Sequence, residues 1–205
     1  LCFIFAYYVL MHLPLIDFRA YKVGNNILEK MEMPEGAKKA TYEYTWIFED
    51  NGKEIKIKNQ GAYPQVQGKY IGVDTKLISE GDKPAISDFF IEKNGEDVTK
   101  EILSEDKLLL IVAYNLRSTE KDGFNAVKAL SERALEKGYK VVGLTSSDVE
   151  RQDAILKEFS LNFEFYQSDE TVLKTIVRSN PGILTLRKGT ITQKVHWFDS
   201  SEIDL

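Results

Sequence analysis

Ser179-Asn180-Pro181-Gly182-Ile183-Leu184-Thr185-Leu186-Arg187-Lys188-Gly189 decides how this chain is organised. Proline lacks a backbone N–H and pushes the residue before it out of helical space, so a chain passing Asn180-Pro181 is extended. Gly182 to Leu186 is then an apolar run with the look of a strand. Arg187-Lys188-Gly189-Thr190 supplies a tight turn, and Ile191 to Trp197 leads back. The stretch predicts an antiparallel hairpin entered at a proline.

Upstream of the hairpin, apolar runs alternate with helical patterns. Lys107 to Tyr114 is continuously apolar, as expected of a central strand covered on both faces. A polar loop, Asn115 to Lys121, separates it from a helix predicted from an Asp122 N-cap to Lys137, with Gly138 just past its end. Phe124, Val127, Leu130 and Ala134 form the apolar face of that helix. Lys140 to Thr145 is a second buried strand. Ser147-Asp148-Val149-Glu150 has capping-box spacing and opens a helix through Phe159. Phe163 to Tyr166 is a short extended piece. Asp169 and Glu170 favour another helix start, and Asp199 to Leu205 a last one. Before the central strand, Ile86 to Glu92 is expected to be a strand followed by an Asn94-Gly95 turn.

The first part of the chain differs. Leu1 to Ile16 is almost wholly apolar, with no Asp, Glu, Lys or Arg before Asp17. It is shorter than the roughly 20 residues a membrane helix needs. No basic leader or small-residue cleavage motif marks it as a signal peptide. The run is expected to be the end of a transmembrane helix (1–16), the chain being a piece of a longer protein, with Cys2 in lipid or between helices. An amphipathic or buried first helix is the plainer alternative. Residues 17–41 should be an irregular surface connector. In 42–83, Tyr42, Tyr44, Trp46 and Phe48 alternate with Glu43, Thr45, Ile47 and Glu49, giving a strand with one aromatic face. Asn51-Gly52 turns that strand into a second one at Glu54 to Lys58, and Lys69 to Ser79 supplies a third. The aromatic face is expected to be core between this small β unit and the main domain, 84–205.

Composition removes several functions. The 205 residues carry a net charge of −5 with lysines and arginines dispersed, so no basic face for nucleic acid is expected. One cysteine and two histidines, His12 and His196, leave no Cys/His zinc site. No metal and no cofactor is expected. Tyr114-Asn115-Leu116-Arg117-Ser118, after the first buried strand, has no glycine-rich phosphate loop.

The order strand, helix, strand, helix, helix and closing hairpin entered at Pro181, with Gly189 eight residues later, resembles the thioredoxin superfamily over about residues 84–205. The Ile86 to Val98 segment resembles the N-terminal extension of peroxiredoxin-like members. The resemblance implies an α/β thioredoxin-like fold and a cis bond before Pro181. It also implies redox cysteines in the loop after the central strand, and here the sequence departs. Asn115 to Lys121 contains none, while dithiol exchange needs two sulfurs. The domain is therefore expected not to be an enzyme and to have no catalytic residues. His12-Leu13-Pro14-Leu15-Ile16-Asp17-Phe18-Arg19 through Ile27, with Met33-Pro34-Glu35-Gly36-Ala37, resembles the juxtamembrane segment of DoxX-like (MauE/DoxX) membrane proteins of Bacteroidetes. Ala20 and Leu28 stand where many relatives have proline. That resemblance implies upstream membrane helices as partners, a lipid bilayer at the N-terminus, and an inner-membrane protein with this domain in the periplasm. Arg19 and Lys22 pull weakly toward the cytoplasmic side.

The candidate sites follow. Asn180 and Pro181 are expected to offer backbone groups to an extended partner peptide, a protein thiol among them. Arg117 and Ser118, with Thr119, are candidates for an anion or peptide contact at a helix start. His196 is expected on the polar side of an edge strand, with Trp197 packed on the sheet. Asp148, Glu150, Asp153, Asp169 and Glu170 fit helix starts better than acid/base pairs. Two functions compete: a non-catalytic binding or assembly domain, and the docking component of a membrane thiol–disulfide oxidoreductase whose cysteines lie elsewhere. A structural appendage is a third.

Overall fold

The computed structural model describes residues 7, 8 and 11–205. The apolar run and Cys2 therefore lie largely outside the described residues. Among those described, no helix is long and apolar enough to cross a membrane. The chain divides into two compact units: Met33–Pro84, and the segment before Met33 together with Ala85–Leu205.

The smaller unit is a three-stranded antiparallel sheet. Strand β1 (Thr41–Asp50) lies between β2 (Lys53–Asn59) and β3 (Lys69–Ser79). Asn51 and Gly52 have φ of 52° and 78°, the left-handed pair that a two-residue I′ turn requires. Trp46 and Phe48 pack with Tyr63 and Tyr70 of the same unit, ring centroids 5.1 to 6.3 Å apart. Phe48 is buried in this way by rings of its own unit.

The larger unit carries a seven-stranded sheet. Its elements after the small unit are β4 (Glu92–Lys93), β5 (Glu96–Asp97), a helix at Thr99–Leu103, β6 (Leu108–Val112), a helix at Lys121–Glu136, and β7 (Lys140–Thr145). A helix at Val149–Glu158, β8 (Glu164–Gln167), a helix at Glu170–Ile176, β9 (Gly182–Arg187), β10 (Thr190–His196) and a 3₁₀ turn at Trp197–Glu202 complete it. With a short helix at Ile27–Met31 counted first, the helices are α1 to α5. The sheet order is β10-β9-β6-β7-β8-β4-β5. Strands β6, β7 and β8 are parallel, while β9 and β10 return antiparallel. This is a thioredoxin-like fold: strand, helix, strand, helix, then a closing hairpin entered at a proline. The Asn180-Pro181 bond is cis.

Strand β6 is buried at every position because helices cover both sheet faces. Leu108, Leu110 and Val112 enter one core with Ile91, Leu103, Leu144 and Leu173. Leu109 and Ile111 enter the other with Phe124, Val127, Leu130 and Ile155. Lys188 and Gly189, with φ of 48° and 81°, turn β9 into β10.

Several sequence expectations are corrected. Ile86 to Ile91 forms no strand; Ile86, Phe89 and Ile91 are buried from an irregular segment, and only Glu92–Lys93 pairs, with β5 and β8. Helix α3 is capped at Glu120, so Asp122 lies inside its first turn. Asp148, not Ser147, caps α4, its carboxylate accepting from Arg151 N at 2.8 Å. The last segment is a 3₁₀ turn rather than an α-helix.

The stretch from 17 to 32 is not a loose connector. Gly24 N donates to Ile191 O at 2.8 Å, Ile191 N to Asn25 O at 3.0 Å, and Ile27 N to Gly189 O at 2.8 Å, so the chain runs along the β9–β10 end of the sheet. Tyr21 and Ile27 are buried in the first core. The anchor is ionic. Lys194, its side chain 3% exposed, donates to the Asp17 carboxylate, to Tyr21 O at 2.5 Å and to Ile176 O at 3.2 Å. Three acceptors satisfy the three ammonium protons. Arg19 holds the same carboxylate through Nε at 2.8 Å and Nη2 at 3.0 Å, and reaches Thr175 O at 3.1 Å. Partial burial raises the Asp17 pKa, but the hydrogen bonds from Arg19 and Lys194 outweigh it and hold the carboxyl well below its usual range.

Asp17→Asn leaves the Lys194 ammonium buried without its counter-charge and should cost about 3 kcal/mol, the low end for a broken buried pair because Asp17 is partly open to solvent. The depressed carboxyl contributes stability above its unfolded pKa of about 3.9, and that contribution is lost as pH falls below this value. Urea denaturation of both proteins should therefore show the full difference at pH 7 and a shrinking one below about pH 4.

Candidate functional site

The site lies at the carboxyl ends of β6 and β7 and the amino end of β9, where the loop Ala113 to Glu120 meets Asn180-Pro181. Loops here follow from the fold: parallel strands deliver their C-terminal ends to one edge, and helices α3, α4 and α5 start there. The loop is built on one asparagine. Asn115 O accepts from Ser118 N at 3.1 Å and from Thr119 Oγ1 at 2.8 Å, and its Oδ1 accepts from Arg117 N at 3.0 Å. Ser147 Oγ accepts from Leu116 N at 2.9 Å.

Asn180 closes the loop from the other side. Its side-chain amide donates to Asn115 O at 3.2 Å and to Ser118 Oγ at 3.4 Å. Its Oδ1 lies 3.0 Å from Thr119 Oγ1 and shares that hydroxyl's single proton with Asn115 O, and its backbone carbonyl accepts from Glu120 N at 3.1 Å. Asn180 is buried (9% exposed), as is Thr119. The four predicted residues are thus brought together: Asn180 and Pro181 as the buried floor, Arg117 and Ser118 exposed above them. One lone pair of the Asn180 carbonyl is used by Glu120 N.

Beside this floor, Asn115, Arg117, Ser146, Ser147, Asp148, Gln167 and Glu170 line an open polar cavity of about 400 Å³. Arg117 Nη2 stands 3.7 Å from Asp148 Oδ2. Lys174 Nζ donates to Glu170 Oε1 at 2.6 Å and lies 5.2 Å from the centre of the Tyr114 ring. The Lys174 ammonium lowers the Glu170 pKa, so the cavity wall keeps an anionic group. Asp169, like Asp148, is a helix cap, accepting from Val172 N at 2.9 Å.

His196 differs from the sequence expectation. It is 4% exposed and caps the 3₁₀ turn, Nδ1 accepting from Phe198 N at 3.1 Å. Strand β10 ends there, so alternation no longer dictates where its side chain goes. Burial lowers its pKa despite the nearby Glu120 and Asp199 carboxylates. His12 reaches Asp199 at 2.8 Å through Nδ1. The sequence offered no sign of His12–Asp199, Asp17–Lys194 or the role of Asn115. Each joins residues far apart or uses a side chain that looks like ordinary loop or surface material.

Gly123, in the first turn of α3, lies against Pro181. A Cβ there would stand 2.5 Å from Pro181 Cδ, 2.9 Å from Cγ and 3.1 Å from Trp197 Cγ. The helix start therefore sits close on the proline because position 123 has no side chain.

The floor, the loop and the closing hairpin define a thioredoxin-like domain. No protein-family model matches the sequence, and no curated protein matches it. Among solved structures, it is similar to the thioredoxin domain of a thiol-disulfide oxidoreductase from Bacteroides vulgatus (14% identity, 52% of this chain, 81% of that chain, TM-score 0.40). It is similar to a thiol:disulfide interchange protein from Bacteroides sp. (13%, 51% and 74%, TM-score 0.40) and to reduced Prx3 from Vibrio vulnificus (10%, 52% and 80%, TM-score 0.42). These likenesses concern the fold. They correct one expectation: thiol–disulfide enzymes and a peroxiredoxin share this fold, so the inference that the chain is not an enzyme does not stand. What holds is narrower and chemical. Residues 115–121 contain no sulfur, and the chain's single cysteine is Cys2.

Two outcomes are expected. Gly123→Ala should destabilise the domain by about 1–3 kcal/mol through overpacking against Pro181, seen as a lower urea midpoint at unchanged slope. His196 is held neutral by burial, so the unfolded chain binds the extra proton below about pH 6.5 and stability falls as pH drops through that value. His196→Asn keeps a capping acceptor and should flatten the decline between about pH 7 and pH 5, followed by thermal denaturation at each pH.

Proposed function

We propose that this domain is the partner-docking component of a thiol–disulfide oxidoreductase system, carried as the C-terminal extramembrane part of a DoxX-like membrane protein. The observation that carries the reading is the buried Asn180-Pro181 floor beneath a loop that contains no thiol. Asn180 spends its side-chain amide, its Oδ1 and its carbonyl on holding Asn115 to Glu120 in place. In a thioredoxin-like fold that loop presents the reacting sulfur. Here it presents the exposed Arg117 and Ser118 at the start of the 16-residue helix α3. Such a surface positions a partner segment, with the sulfur chemistry supplied by thiols outside residues 115–121. The partner is a protein thiol or disulfide lying against Arg117, Ser118, Asn180 and Pro181.

The DoxX-like part of the reading rests on the His12 to Ile27 resemblance and the apolar run before it. On this reading the protein sits in the inner membrane with this domain in the periplasm. The anchoring of Asp17 and Arg19 to Lys194 and Thr175 supports a tail held close to the membrane-proximal segment rather than on a loose tether.

The test is a cysteine placed where the partner should pass. Ser118→Cys puts a thiol beside Arg117 and near a helix start, where thiolate formation is favoured. In the full-length protein in its native membrane, it should trap a mixed disulfide with a partner. A cysteine at Lys137, exposed at the opposite end of α3, should trap none. Arg117→Glu should reduce the Ser118→Cys adduct several-fold. Equal trapping at both positions, or none at Ser118, would sink the docking assignment.

A further inference from the structure

We infer that the free edge of β3 is a pairing surface for a second copy of this chain, joining two small units into one continuous six-stranded antiparallel sheet. β2 and β3 are the two edges of the small sheet, and they are built differently. β2 is Lys-Glu-Ile-Lys-Ile-Lys-Asn, with lysines at positions 53, 56 and 58, a composition that discourages strand addition. β3 has 11 residues, exposed at all positions but Gly72, including the apolar Ile71, Val73, Leu77 and Ile78. A long exposed edge with this many apolar side chains is a template for another strand.

The sequence of β3 selects the occupant. Its register with β1 is regular from Gly72 to Leu77, bounded by irregularities that leave Ile71 and Ile78 unpaired. Val73, Thr75 and Leu77 oppose Trp46, Tyr44 and Tyr42, so they lie on the aromatic face. Asp74 and Lys76 oppose Thr45 and Glu43 on the other face. Place a second β3 antiparallel with the two-fold axis through Thr75. Asp74 then faces the other copy's Lys76 twice, Val73 faces Leu77 twice, and the apolar faces of the two sheets fall on the same side. A charge row results: Glu43, Lys76, Asp74 of the second copy, Thr45 of the second copy. Opposite charges directly across an antiparallel pair favour pairing, and like charges oppose it. A register shifted by two residues places neither charge opposite its complement. The self-complementarity around Thr75 therefore argues for this same chain, in an isologous contact. The proposal stands apart from the docking reading, since it uses no residue of the larger unit.

The interface is small, so it is read by crosslinking. In a Cys2→Ser background, Thr75→Cys puts two thiols across the axis within reach of a disulfide. Under mild oxidation the full chain should give a covalent dimer in several-fold higher yield than Lys56→Cys on the β2 edge. Asp74→Lys added to Thr75→Cys should lower that yield several-fold, as should Lys76→Glu. Mixing those two variants should restore it, because both cross-pairs are then of opposite sign. Equal yields from Thr75→Cys and Lys56→Cys would overturn the pairing. Yields indifferent to the charge changes, or not restored on mixing, would overturn the register.

Discussion

The two-sided burial of β6 is the constraint on which the larger unit depends. Five consecutive residues, Leu108 to Val112, have no access to solvent on either face. Their side chains alternate between two cores, so helices must cover both sides of the sheet and the flanking strands must hold their register. A slip of one residue would exchange the two cores. With β6 fixed, β7 and β9 are fixed beside it, and the loop after Val112 meets the segment before β9 at a single place. The Asn115–Asn180 network is a consequence of that meeting.

The network holds the loop 115–120 in place without any sulfur. In this chain the loop is held by amide, hydroxyl and carbonyl groups that satisfy one another. Unpaired, such buried groups would each cost on the order of 1–3 kcal/mol, so the set is kept or lost together. Gly123 belongs to the same arrangement, since its missing Cβ lets α3 start against Pro181. Arg117 and Ser118, exposed above the floor, carry no such obligation.

An ionic clasp ties the N-terminal segment to the same unit. Lys194 lies on β10, Asp17 and Arg19 on the incoming chain, and the Ile176 and Thr175 carbonyls at the end of α5. The buried ammonium fixes the path of the chain from Asp17 to Tyr21. Backbone pairing then carries it along the closing hairpin to Ile27. The segment is therefore part of the sheet's edge and not a spacer.

The sequence by itself determined the elements whose cause is local. Apolar runs gave β6 and β7, the spacing of Phe124, Val127, Leu130 and Ala134 gave the buried face of α3, and Asn51-Gly52 and Lys188-Gly189 gave their turns. Pro181 marked the start of the closing hairpin. Boundaries shifted at helix starts: Asp148 rather than Ser147 caps α4, and α3 begins after Glu120, whose side chain makes no capping bond. Tertiary structure alone decided the rest. Ile86, Phe89 and Ile91 have strand-like composition, yet they serve as core contacts from an irregular path, Ile86 N donating to Lys30 O and Ile91 O accepting from Val98 N. Lys194, His12, Asn115 and His196 carry no signal in their own neighbourhoods. Their partners lie from a few to nearly two hundred residues away, or their burial depends on elements built elsewhere. Period and propensity report on what a residue's neighbours in sequence allow. A buried charge or a side-chain clasp is specified by neighbours in space, which only the folded chain assembles.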